Sequence, residues 1–253
     1  MDVKHLKIQA NWFRILLPEG ILIPSSTLIT GPGGSGKPLI GNFFAAEWLR
    51  QGGSVVFMSL QYPDYSFVKS GMLATSDLDI DDYNDQTVFI ELDAGLDSIH
   101  KLEGLHIRAN LVKPDIWEEA LTQAAEMVPD EGPGILVFGS ALNLLLFSPT
   151  YESAILEKMI ATLKDTSIFS YLFSVSNSVK ANVIAKIEAV VDNLLMMRRE
   201  KGSKELTVRV LRAMGVQFSD AEIKAPLPQE TLSELKEIAD ASRKRVIPLI
   251  SKL

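Results

Sequence analysis

The residues with the clearest chemistry are Gly31-Pro32-Gly33-Gly34-Ser35-Gly36-Lys37-Pro38. Glycines at this density let the backbone turn its N–H groups inward, and N–H groups that converge on one point bind an anion. The apolar run Ser26–Thr30 precedes the loop and the helical stretch Leu39–Gln51 follows it. A helix starting behind the loop adds the positive end of its dipole, and Lys37 adds a full charge that can reach the outer oxygens of a phosphate. The spacing fits G-x-x-x-x-G-K in a strand–loop–helix setting. Gly31, Gly33, Gly34, Ser35, Gly36, Lys37 and Pro38 are therefore the candidate phosphate-binding residues.

The last of these departs from the pattern. A serine or threonine after the lysine normally offers Mg²⁺ a hydroxyl, and Pro38 has neither a hydroxyl nor an N–H. Proline also biases Lys37 away from helical backbone angles, although it is accepted in a first helical turn. The expected ligand is ATP, ADP or a bare phosphate or sulfate anion, with Mg²⁺ a doubtful cofactor.

Several apolar β-type runs must position this loop: Ser26–Thr30, Ser54–Ser59, Gln86–Leu92, Gly134–Ser140, Ser167–Val175, Ala189–Met197 and Glu205–Arg212. The early runs are continuous rather than alternating, as in strands buried on both faces of a parallel sheet. Helical stretches at Leu39–Gln51, Pro114–Met127 and Thr150–Lys164 lie between them. Strands alternating with helices predict a helix-covered, mainly parallel sheet. The segment Arg198–Lys204 reads as the turn of a closing antiparallel hairpin. The prolines of Ala225–Pro228 mark a boundary, which divides the chain into a domain over 1–225 and a helical tail over 226–253. Thr231 and Glu234 form a capping box for that tail, and Arg243, Lys244 and Arg245 suit its negative dipole end.

With these motifs in order, the sequence resembles the KaiC-type branch of the RecA superfamily, which includes archaeal recombinase paralogues and archaellum-motor ATPases. The resemblance runs from about Pro18 to Phe218. It implies an α/β, RecA-like P-loop NTPase fold with a C-terminal antiparallel hairpin. In the family an acidic pair follows the strand matched by Gly53–Leu60, and one glutamate activates the attacking water; here Gln61 and Tyr62 stand there. The Walker B strand should end in aspartate. Gly134-Ile135-Leu136-Val137-Phe138-Gly139-Ser140 fits except that Gly139 occupies the aspartate position. The returning strand of active members often ends in a Lys/Arg pair that acts on a neighbour's nucleotide, and Arg212 alone remains. Gln61, Gly139 and Pro38 together thus imply a degenerate ATPase with no intact catalytic residue.

The alternatives are a working Mg-dependent ATPase in which Asp64, Glu91 or Asp93 stands in, and a recombinase-like protein that binds nucleic acid. The net charge of −7 argues against nucleic acid, and the absence of cysteine excludes disulfides and thiolate metal sites. The acidic run Asp77, Asp79, Asp81, Asp82, Asp85 lacks the glycine and glutamate of a calcium loop and reads as solvated. Ser174, Ser176, Asn177 and Ser178 read as a plain loop, and Trp12, Trp48 and Trp117 as packing. No apolar run approaches the ~20 residues of a membrane span, so a cytoplasmic protein is expected, with other proteins or further copies of itself as partners.

Overall fold

A computed structural model describes residues 4–60, 65–178, 180–199, 205–225, 227 and 229–253. The chain begins with β1 (Lys4–Leu6), α1 (Asn11–Leu16), β2 (Ile21–Ile23), β3 (Ser26–Thr30), α2 (Lys37–Arg50) and β4 (Ser54–Ser59). It continues through α3 (Tyr65–Ser76), a 3₁₀ turn at Ile80–Tyr83, β5 (Thr87–Leu92), β6 (His100–Lys101), β7 (His106–Ala109) and α4 (Pro114–Ala125). Then come β8 (Ile135–Ser140), a 3₁₀ segment at Leu142–Phe147, α5 (Glu152–Lys164), β9 (Ser170–Ser174) and α6 (Ala181–Glu188). The last elements are β10 (Asn193–Arg199), β11 (Leu206–Ala213), β12 (Ile223–Lys224) and α7 (Gln229–Ile250).

Ten strands form one sheet in the order β12-β11-β10-β3-β9-β8-β4-β5-β7-β6. Pairing is parallel from β10 through β7 and antiparallel at both edges. The continuous apolar runs follow from helices on both faces. In β4, Val55 and Phe57 enter one core with α2 residues such as Ile40 and Phe44, while Val56 and Met58 enter the other with Trp117 and Leu145. Each strand residue is therefore buried whichever way it points, as the burial of all six residues of β4 and of β8 shows. Trp48 and Trp117 are fully buried, and Trp12 packs edge-to-face on Phe13 and Phe43.

The parallel strands set Thr30, Ser59, Ser140 and Ser174 along one sheet edge. Strand β3 is separated from its successor β4 by β9 and β8. A crevice at the carboxyl ends of strands, where connections change direction, is the general ligand position of open α/β sheets. Asp192 fixes β3 at its other end by accepting hydrogen bonds from the Ser26 N–H at 2.8 Å and the Ser26 hydroxyl at 3.1 Å.

Candidate functional site

The glycine-rich segment leaves β3 at Gly31 and enters α2 at Lys37. Gly31 has φ +142°, and a Cβ there would lie 2.3 Å from the Met197 carbonyl oxygen, so only glycine fits between β3 and β10. Gly36 sits in the left-handed region at φ 72° and starts the helix without a side-chain cap. Pro38 occupies the first turn of α2, where its missing N–H leaves no helical bond unmade.

Lys37 is buried, with 6% of its surface exposed. Its Nζ donates to the Pro32 carbonyl at 2.7 Å, the Gly31 carbonyl at 3.2 Å and the Ser35 hydroxyl at 3.3 Å. All three acceptors are neutral. Burial, reinforced by the Arg243 guanidinium, pushes the lysine down from 10.5 to about 7. An ammonium that among the described residues is held only by neutral oxygens and faces a second cation is electrostatically incomplete, and an anion relieves both strains.

At the end of β8, hydrocarbon surrounds the position of the expected aspartate. A Cβ on Gly139 would lie 2.5 Å from Leu142 Cδ1 and 2.9 Å from Phe173 Cδ1. Leu142 reaches this place because Ala141 takes a left-handed conformation, φ 56°, and turns the chain at once into the 3₁₀ segment. The hydroxyls of Ser59 and Ser140 lie 3.2 Å apart across β4 and β8. Beyond them a small pocket runs beside Pro38, walled by Phe57, Phe67 and Phe138. Neither Pro38 nor Gly139 offers Mg²⁺ an oxygen from its side chain, and among the described residues there is no cluster of acidic or histidine side chains able to hold a metal. The described residues here do not fit a Mg²⁺ site of the family's kind.

Two further walls were not legible in the sequence. The loop after β9, read there as plain, lies directly against the glycine-rich segment. The Ser178 hydroxyl accepts from the Gly33 N–H at 3.0 Å, and the Asn177 N–H donates to the Gly31 carbonyl at 3.1 Å. Asn143 holds this loop by accepting from the Ser176 N–H at 2.9 Å. The second wall is α7, whose Arg243 Nη1 comes within 3.6 Å of the point where a Gly33 Cβ would stand. The sequence signal for Arg243 was only a cation near a helix end, which the dipole explains equally well.

Other sequence candidates are held elsewhere. Asp93 pairs with Arg108 at 2.5 Å, and Glu91 lies 3.8 Å from the same guanidinium. Asp79 and Asp81 both pair with Lys69, and Asp79 also caps the 3₁₀ turn through the Asp81 N–H. Arg212 donates to the Glu188 carbonyl of its own chain, and Glu188 accepts from the Thr30 hydroxyl at 2.7 Å. Gln61, Tyr62 and Asp64, the residues weighed for activating water, lie outside the described residues.

A strand–loop–helix phosphate motif at the carboxyl edge of a mainly parallel, helix-covered sheet defines a P-loop protein of the RecA type. The family model described as "ATPase: KaiC" matches residues 11–224, and the chain belongs to that family. Among solved structures, a KaiC-like protein from the hyperthermophilic archaeon Pyrococcus horikoshii OT3 is similar, with a TM-score of 0.68 at 12% identity. The match covers 90% of this chain and 96% of that one, and at this identity it shows the fold. No curated protein sequence matches the chain.

Proposed function

We propose that this KaiC-family chain holds a phosphate-bearing ligand on Gly31–Lys37 without hydrolysing it, and that it works by contacting other proteins. The observation that carries the reading is the hydrocarbon packed around Gly139. Loss of one carboxylate could be offset by a neighbour. Here Leu142 and Phe173 fill the surroundings, so among the described residues no side chain takes its place without displacing the core. Pro38 removes the usual hydroxyl ligand as well, and a hydrolytic site that loses its metal loses most of its charge stabilisation. The glycine-rich loop and Lys37 need no metal to attract an anion.

Of the carboxylates weighed as substitutes, Glu91 and Asp93 support this reading, because both are committed to Arg108, and Asp64 lies outside the described residues. A steady-state phosphate-release assay tests it. The expected result is no turnover above background with Mg-ATP. Turnover at about 1 s⁻¹ or faster, abolished by Lys37→Ala, would overturn the inactive reading in favour of a working ATPase.

A further inference from the structure

Helix α7 crosses from the far end of the chain to the mouth of the phosphate loop. Val246 and Ile250 are buried in the same core as Leu142, Leu144 and Leu145, which seats the helix on the 3₁₀ segment after β8. Ser242 is buried as well, and its hydroxyl has no partner among the described residues. The next residue, Arg243, extends over Gly33, where Ser176 Oγ and Ser178 Oγ also approach to 3.7 and 4.0 Å of the would-be Cβ. Its Nη2 reaches Asp240 at 2.5 Å, an i,i+3 pair on the same helix, and its side chain is 38% exposed.

The charges do not balance. Arg243 shares one carboxylate, while the Lys37 contacts are all neutral oxygens. Two basic groups, Lys37 and Arg243, therefore lie at the glycine-rich loop with a single carboxylate paired to them among the described residues. This deepens the reading under Proposed function and rests on it. We infer that Arg243, supplied in cis by α7, is a phosphate ligand of this site and takes over the charge neutralisation that a divalent metal cannot provide here. The ligand class is a phosphoryl anion, either inorganic or the terminal phosphate of a nucleotide. A guanidinium suits that task because it stays ionised and presents paired donors to phosphate oxygens. Asp240 is then the internal anion that holds Arg243 in place until phosphate arrives.

The test is calorimetric titration of the full chain with pyrophosphate and with ADP, in EDTA, for the wild type and four variants. Arg243→Ala should weaken both ligands by about tenfold to a hundredfold, the worth of a charge-assisted hydrogen bond, with Arg243→Lys intermediate. Asp240→Asn should tighten binding, since it frees the guanidinium; this opposite sign separates a ligand role from mere loosening of α7. Equal affinities for the two ligands favour inorganic phosphate chemistry, and a preference for ADP favours a nucleotide; either supports the role of Arg243. Unchanged or tighter binding in Arg243→Ala, with Lys37→Ala still abolishing it, would leave the loop as the site and refute the role of Arg243. Absence of binding in the wild type would overturn the loop reading and this inference together.

Discussion

At the scale of single residues, Lys37 concentrates the physics of the site. Its ammonium is buried among neutral oxygens and pushed down to about 7 by burial and by Arg243. Below that pH the lysine is charged in both folded and unfolded chains, and the folded protein bears the full cost of burying the charge. Between about 7 and the ordinary 10.5 the unfolded chain holds a proton that the folded chain has released, so stability rises with pH across that window. Without ligand, Lys37→Met should therefore be more stable than the wild type at pH 6, with the gap narrowing toward pH 10 in urea melts. A gap that is constant with pH would show that Lys37 is not electrostatically strained. A bound phosphate reverses the sign, because an adjacent anion favours the ammonium. The sequence marks the lysine as a candidate phosphate ligand, but its folding back onto Gly31 and Pro32 was not legible there, since that depends on how the loop closes.

At the scale of elements, the turn from β8 into the 3₁₀ segment decides what chemistry the site can hold. A Gly139→Asp reversion puts a Cβ against Leu142 and Phe173 and a carboxylate into hydrocarbon. Overpacking and an unpaired buried polar group together cost about 3 kcal/mol or more. The variant should lose that stability in urea unfolding, and Gly139→Asp with Leu142→Ala should recover part of it. A fully stable single variant would mean that the pocket yields easily and that the loss of aspartate is not locked in by packing. The sequence was most informative about such buried strands. The runs beginning at Ser26 and Ser54 match β3 and β4, because burial on both faces leaves an unbroken apolar signal. The edge strands β6 and β12, each of two residues, leave no periodicity to read. The apolar Leu142–Phe147 continues the β8 run in sequence, and only the left-handed Ala141 breaks it. The segment Ser176–Ser178 stood out in the sequence only by its place after the fifth strand and reads there as a plain loop, since its contact with the glycine-rich segment comes from sitting beside β3 across a crossover.

At the scale of the whole molecule, the KaiC-type frame is present although Pro38 and Gly139 stand where the resemblance calls for a serine or threonine and an aspartate. The mainly parallel sheet, the closing hairpin of β10 and β11 and the glycine-rich loop are all in place. That frame was legible because order and spacing outlast individual side chains. The contribution of α7 was not, because its partners in the core lie about a hundred residues earlier in the chain, at Leu142, Leu144 and Leu145. On the proposed reading, this frame holds phosphate without a metal. The most direct measurement of that is the affinity for ADP with Mg²⁺ and with EDTA, in the wild type and in Pro38→Thr. The wild type should bind equally in both conditions. Pro38→Thr should bind ADP about tenfold more tightly, from a regained N–H and hydroxyl to a charged ligand, again without needing Mg²⁺, since Gly139 is unchanged. Affinity in the wild type that appears only with Mg²⁺ would contradict the claim.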